Sequence, residues 1–222
     1  MSALRFRYQT LEFGDLDIHL RTLRDRQQYH DPDGQAEDMG ISSASWPLFG
    51  VLWPSAEILA QLMMDYDISG RRILEVGCGI GLASLLLNQR DANITATDQH
   101  PIAEEFMQLN TGLNNARDIP FVRTGWNDAE NDLEKYDLII GSDILYEPNH
   151  AELLARFIHR HANPVCEVII IDPGRGHGAN FSKQMTGFGY SHSQEKAGDR
   201  LVLSQPYKGN IHNYKREPVI GL

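Results

Sequence analysis

The sequence predicts an α/β fold, a parallel sheet with helices on both faces, and three observations carry that prediction. The runs Leu138-Ile139-Ile140 and Val168-Ile169-Ile170-Ile171 are continuously apolar, as strands buried on both faces are; a half-solvated strand would alternate. Strand-like and helix-like stretches alternate from residue 72 to 171 at the spacing of strand, helix, strand units. The first apolar run, 72–76, stops at three alternating glycines, Gly77, Gly79 and Gly81, which open directly into Leu82, Leu85 and Leu86 at helical spacing.

Taken in order, residues 6–13 and 16–20 alternate and can pair through Gly14-Asp15 as a hairpin. Asp31-Pro32-Asp33-Gly34 is a turn signal that separates this stretch from the next. A helix is expected from Trp53-Pro54-Ser55, with Pro54 in its first turn and Ile58, Leu59, Leu62 and Met63 on one face. The pattern then gives a strand at 72–76, a helix at 81–90, a strand at 93–98 and a helix at 101–115. Strands at 119–123 and 136–141, a helix at 149–162 and a strand at 165–171 complete the alternation. Past residue 188, the stretches 190–194 and 200–203 read as a terminal antiparallel pair, and 205–222 as a polar C-terminal tail.

A chain of 222 residues suits one domain with a sizeable core. Thirty acids against 20 bases give a net charge of -10, and no Lys/Arg-rich run is present, which disfavours a nucleic-acid partner. Two cysteines, Cys78 and Cys166, are too few for a disulfide framework, so a reducing compartment is expected. The N-terminal residues hold no apolar stretch of signal-peptide length and no later segment is apolar enough to span a bilayer, so the expectation is a cytoplasmic protein with no membrane partner.

Glycines at 77, 79 and 81 let the backbone approach a ligand with no Cβ in the way. A dinucleotide fingerprint would place its third glycine at 82, which is Leu82. Asp98 closes the second strand 21 residues after Gly77, near where a ribose-binding carboxylate falls in such a unit. The composite Glu75-x-Gly77-x-Gly79-x-Gly81, answered by Thr97-Asp98, resembles the first and second motifs of the class I, seven-stranded S-adenosylmethionine-dependent methyltransferases. That resemblance implies a Rossmann-like, mostly parallel sheet of seven strands ending in an antiparallel hairpin. It also implies S-adenosyl-L-methionine as cofactor, Gly77, Gly79 and Gly81 passing under its methionine part, Glu75 supporting the loop, and Asp98 holding the ribose hydroxyls.

In an open α/β sheet the ligand lies beyond the carboxyl ends of the strands, so the residues just past each buried run carry the chemistry. After the strand at 136–141 comes Ser142-Asp143-Ile144-Leu145-Tyr146-Glu147-Pro148. It resembles the D/E-x-x-Y/F motif of a methyltransferase subgroup that includes many protein lysine methyltransferases. By that resemblance Asp143 orients the nucleophile and contacts the cofactor, and Tyr146 walls the pocket or hydrogen-bonds through its hydroxyl. After the strand at 165–171, Asp172-Pro173-Gly174-Arg175 is similar to a loop of the enzymes that methylate lysine in the electron transfer flavoprotein β subunit. Arg175 there reaches a substrate carboxylate or pairs with a neighbouring acid. Trp126 lies in the segment after the third parallel strand, where by the same resemblance the adenine is lined; its flat indole suits a purine, with Asn127 or Asp128 available for the exocyclic amine. Trp53, in Trp53-Pro54-Ser55-Ala56, resembles a W-P-x-x element of the same subgroup and either covers the cofactor or packs in the core. His159 and His161 face different sides of a helix, and His30, His100, His150 and His177 lack partners at ligand spacing, so no metal is expected.

The resemblance spans residues 46–204, preceded by an N-terminal extension at 1–45 that forms a hairpin or a lid. The expected activity is N-methylation of a lysine side chain in a protein. A small amine or heterocycle as acceptor, or a cofactor-binding module without turnover, are the alternatives. A lysine must lose its proton first, which at pH 7 costs about 4.6 kcal/mol from a reference pKa of about 10.4. Asp143 alone would oppose that loss, so its expected part is to position the amine while water takes the proton.

Overall fold

The computed structural model describes residues 4–26, 28–43, 45–198, 201–202 and 205–217. Strands β1 (Phe6–Phe13) and β2 (Leu16–Leu23) form the expected antiparallel hairpin, its turn closed by Gly14 at φ 57°. A single turn of helix, α1 (Gln35–Asp38), and a 3-10 turn at Trp46–Leu48 lead to α2 (Pro54–Asp65). There Ile58, Leu59 and Met63 are fully buried, with Pro54 in the first turn, where no helical N–H is needed.

The alternation continues as β3 (Arg72–Val76), α3 (Leu82–Gln89), β4 (Asn93–Asp98), α4 (Ala103–Leu113), β5 (Phe121–Arg123), β6 (Tyr136–Ser142), α5 (His150–His161) and β7 (Ala162–Asp172). These agree with the expected elements to within about three residues at each end, the usual spread of a helix or strand boundary. Strands β3 to β7 are parallel to one another wherever they pair. Successive residues of these strands serve opposite layers. Ile73, Leu138, Ile140, Ile169 and Ile171 join one core with α2, α3, α4 and the hairpin. Leu74, Val76, Ile139, Val168 and Ile170 join a second core with α5 and the helix that comes after β7.

That helix, α6 (Gly178–Gly187), is not announced by the sequence, because only Phe181 and Met185, one turn apart, give it an apolar side. The C-terminal region corrects the sequence reading more substantially. Strand β8 (Ser191–Lys196) is close to its expected place, but its partner is β11 (Asn210–Arg216), within the stretch read as a polar tail. Leu201–Val202 (β9) pair with Gln205–Pro206 (β10) instead, and the rest of the expected 200–203 strand lies outside the described residues. Strand β11 inserts antiparallel between β7 and β8, giving the sheet order β5-β4-β3-β6-β7-β11-β8. Its composition, Asn-Ile-His-Asn-Tyr-Lys-Arg, conceals this, since Ile211 and Tyr214 alone supply apolar burial, one to each core.

The hairpin packs along α3 and α4. The backbone of His19 exchanges two 2.8 Å hydrogen bonds with the Asn114 side chain, and the Arg21 N–H donates to Asn110 Oδ1 at 2.7 Å. Both cysteines are buried and free. Among the described residues no helix is long and apolar enough to cross a membrane, and no cluster of His, Cys, Asp or Glu is arranged to hold a metal.

Candidate functional site

A cavity of about 670 Å³ opens beyond the carboxyl ends of β3, β4, β6 and β7, where the strand order reverses. Trp53, Gly77, Gly79, Asp98, Trp126, Asp143, Tyr146 and Arg175 all line it. Seven of these come from the expected site residues, and Arg175 from the neighbouring loop. Glu75 and Gly81 lie behind the wall.

The glycine loop shows two different uses of the same residue. All three glycines hold positive φ, at 63°, 56° and 76°, a region that side chains with a Cβ rarely adopt. A Cβ on Gly77 would come within 2.8 Å of Ile144, one on Gly81 would overlap the end of the Met107 side chain, and one on Gly79 would meet only open space. Gly79 therefore presents bare backbone to the cavity, while Gly77 and Gly81 permit close packing. Glu75 works from beneath: its carboxylate accepts the Ser84 N–H at 2.9 Å and the Ser84 hydroxyl, capping the first turn of α3. Burial pushes the Glu75 carboxyl up to about 7 against those two bonds.

Asp98 is wired to the loop. One oxygen accepts the Gly79 N–H and the other the His100 N–H, both at 2.8 Å. Burial raises this carboxyl while the backbone bonds oppose the rise. The loop is further tied to β4 by the Cys78 N–H, which donates to the Thr97 carbonyl at 2.9 Å. His100, placed by the sequence among histidines without partners, stacks on Phe49 with ring centroids 3.9 Å apart and lines the cavity. Burial pushes its imidazole down to about 3.

The opposite wall comes from β6, β7 and the loops after them. Asp143 sits at φ 54°, an unusual left-handed conformation for a residue with a side chain, held by its own N–H on the Ile171 carbonyl at 2.9 Å. Arg175 pairs with it in a fork: Nε donates to Oδ1 at 2.7 Å and Nη2 to Oδ2 at 2.9 Å. Of the two parts open to Arg175, the pair with a neighbouring acid is the one present. Tyr146 meets His150 edge to face at 4.5 Å, and Trp126 meets the same ring edge to face at 5.0 Å, so His150 braces both aromatic walls. Burial, with the nearby acids, keeps the Tyr146 hydroxyl well above the usual phenol range. Asp128 closes its own turn, accepting the Gly125 N–H at 2.7 Å, and Asn127 lines the cavity beside it.

Sequence reasoning missed one further wall. Met39, Gly40, Ile41, Ser42, Ser45 and Phe49 line the cavity from the N-terminal region. Ser45 reaches across to donate to Glu147 at 3.0 Å, joining that segment to the loop after β6. Trp53 starts α2 at the rim, its indole N–H donating to the Leu48 carbonyl at 3.0 Å. No motif marks residues 39–45; only their place in the fold does.

A parallel sheet in this order, with a glycine loop after its first parallel strand, an acid after the second and β11 inserted antiparallel, defines the class I S-adenosylmethionine-dependent methyltransferases. Solved structures share that fold. The Thermus thermophilus 16S rRNA N2 G1207 methyltransferase, in complex with AdoMet and guanosine, superposes with a TM-score of 0.65 at 11% identity, covering 97% of this chain and 52% of that one. The magnesium protoporphyrin IX methyltransferase of Synechocystis with bound SAM gives 0.56 at 19% identity, over 72% of this chain and 77% of that one. Within the class, the chain belongs to the lysine methyltransferase family, whose model matches residues 37–185.

Curated relatives divide by acceptor. The electron transfer flavoprotein beta subunit lysine methyltransferase of Xenopus laevis is 31% identical over 137 residues, 58% of this chain and 53% of that protein. The protein N-lysine methyltransferase METTL21A of Danio rerio is 33% identical over 115 residues, 47% and 52% of the two chains. The histone-arginine methyltransferase METTL23 of Xenopus laevis is 31% identical over 117 residues, 48% and 50%. The chain thus spans about half the length of the curated relatives it matches.

Proposed function

We propose that this protein is an S-adenosylmethionine-dependent N-methyltransferase whose acceptor is a lysine side chain of a protein. The observation that carries it is one cavity wall made of Gly77, Gly79 and Asp98 facing another made of Asp143 and Tyr146. The first wall fits the cofactor: Gly79 leaves open space where any Cβ would intrude, and Asp98 is held by two backbone N–H donors with lone pairs remaining for ribose hydroxyls. Trp126 supplies a flat apolar face for the adenine, and Trp53 a cover at the rim. Glu75 and Gly81 act indirectly, through the cap and packing of α3.

When bound between Gly79, Asp98 and Trp126, S-adenosylmethionine would supply a methyl carbon activated by a sulfonium, its leaving group being the neutral thioether. The protein's contribution is alignment, worth several kcal/mol when the nucleophile is held in line. Asp143 orients the nucleophile by accepting one of its N–H bonds, and Tyr146, neutral at physiological pH, walls the channel and excludes water. The lysine acceptor is supported by the family and by two of the three relatives above.

Incubation with methyl-labelled S-adenosylmethionine and whole-cell lysate tests this reading. A labelled protein band whose acid hydrolysate contains methyl-lysine is the expected result. Label confined to small molecules would remove the protein acceptor, and methyl-arginine would move the protein toward the arginine-modifying relatives.

A further inference from the structure

The Asp143 carboxylate does not stand alone. Its side chain is 8% exposed and both oxygens are engaged by Arg175, whose own side chain is 43% exposed. Both partners are placed in advance. Asp143 is tied by its N–H to the end of β7, and the loop after β7 carries Arg175, turned by Gly174 and Gly176 at φ 93° and 94°. Asp172 closes that loop by accepting the Gly174 N–H at 3.0 Å. The Trp53 ring lies 5.9 Å from the guanidinium carbon.

A lone carboxylate beside an acceptor lysine would stabilise its ammonium form and raise its pKa, against what methyl transfer requires. With Arg175 in the fork, the charge of Asp143 is cancelled, yet lone pairs outside the fork still accept an N–H from a neutral amine. A guanidinium acceptor stays cationic at any physiological pH and needs an uncompensated carboxylate to hold it. Among the described residues lining the cavity, Asp143 alone has its carboxylate forked by an arginine; Asp98, Asp128 and Glu147 take the neutral donors of Gly79 and His100, Gly125 and Ser45 and keep their charge, and of these Asp98 is the one the reading above gives to the cofactor's ribose.

We propose that Arg175 determines the acceptor class: by neutralising Asp143 it makes the site take an amine as the free base and reject a guanidinium. This rests on the methyltransferase reading above. Arg175 acts through Asp143 and is a positioning residue, and the amine's proton leaves to water before transfer. The other groups facing the pair are Asp172 at the end of β7, Tyr207 of the C-terminal segment, and Tyr146, which Asp98 in turn faces. Glu147, His150 and His177 lie on the adjoining turns. Burial holds Tyr207 up at about 12 and depresses His150, so neither adds charge near neutral pH.

The experiment takes the lysate protein labelled by the wild-type chain, identifies the methylated residue, and records kcat against pH at saturating acceptor and cofactor for wild type, Arg175→Gln and Arg175→Lys. The expected label is methyl-lysine. Arg175→Gln should move the acid limb of kcat up by about one to three pH units, a loss of about tenfold or more near neutrality that recovers at high pH. Arg175→Lys should keep the limb near its wild-type place, because the charge is retained, and cofactor Kd should change by less than about threefold in both. An unmoved limb, an equal loss at every pH, or Arg175→Lys behaving like Arg175→Gln overturns the assignment. Methyl-arginine as product overturns it while leaving methyl transfer standing; no methylated residue at all with wild type defeats the parent reading, and this one with it.

Discussion

The two walls of the cavity are held by different forces. On the glycine-loop side, Asp98 is fixed by backbone N–H groups of Gly79 and His100, and the loop is fixed to β4 by backbone bonds. On the other side, Asp143 is fixed by a side-chain ion pair from a loop 32 residues away in sequence. Backbone bonding leaves a carboxylate charged and available to hydroxyls, which suits a ligand recognised in one pose. Ion pairing removes net charge while keeping an acceptor, which suits a group that must arrive neutral. The difference teaches where each kind of variant should register: in cofactor affinity for the first wall, in turnover for the second.

The sharpest way to break this contrast is Asp143→Asn, since Asn tolerates the left-handed backbone there while losing the charge and half of the fork. We predict a fall in kcat of about 10²-fold or more with cofactor Kd changed by less than about threefold, read by steady-state kinetics and calorimetry. Equal activity would remove Asp143 from the chemistry.

Next in size is Glu75. Its folded pKa, raised to about 7, lies above the unfolded value of 4.5, so its stabilising protonated form is fully present below 4.5 and is lost as pH rises through 7. Glu75→Gln keeps an acceptor for Ser84 without the ionisation. The stability of wild type relative to this variant should therefore decline by on the order of 3 kcal/mol between pH 4.5 and 8, measured by denaturant titration at each pH. A pH-independent difference would mean that the buried acid is not titrating.

Asp98→Ala removes an acceptor from two loop N–H groups and should weaken S-adenosylmethionine binding by about tenfold to 100-fold, with kcat at saturating cofactor largely retained. A loss confined to kcat would merge the two walls into one. The smallest effect separates neighbours within the loop. Gly79→Ala and Gly81→Ala each force a Cβ into positive φ, costing about 1–2 kcal/mol of stability. Only Gly79→Ala should also raise cofactor Kd, by about tenfold, because its methyl enters the cavity while the other meets Met107. Indistinguishable binding would show that facing the cavity is irrelevant at these positions.

The legibility of the molecule divides along similar lines. The glycine loop, Asp98 and the buried runs of β3, β6 and β7 are contiguous patterns whose periodicity and punctuation depend on local sterics and burial. Strand β11 was illegible because its polar residues become a strand only when β7 and β8 offer partners on both sides. Helix α6 was illegible for a related reason, its single apolar stripe having meaning only against α5 and β8. The wall formed by Met39, Ile41, Ser45 and Phe49 carries no motif and is positioned by packing and by contacts such as Ser45 to Glu147, 102 residues away.

By itself, then, the chain's linear pattern determined the parallel α/β core, the nucleoside-sized loop and the acid that answers it, because neighbouring residues along a strand or turn decide those features. Only the tertiary structure decided that Glu75 caps a helix out of reach of the cavity, that Ser45 meets Glu147, and that Arg175 cancels the charge of Asp143. The last two are encounters between segments 102 and 32 residues apart in sequence, and the charge of a site is a sum over whatever the fold brings within a few ångströms.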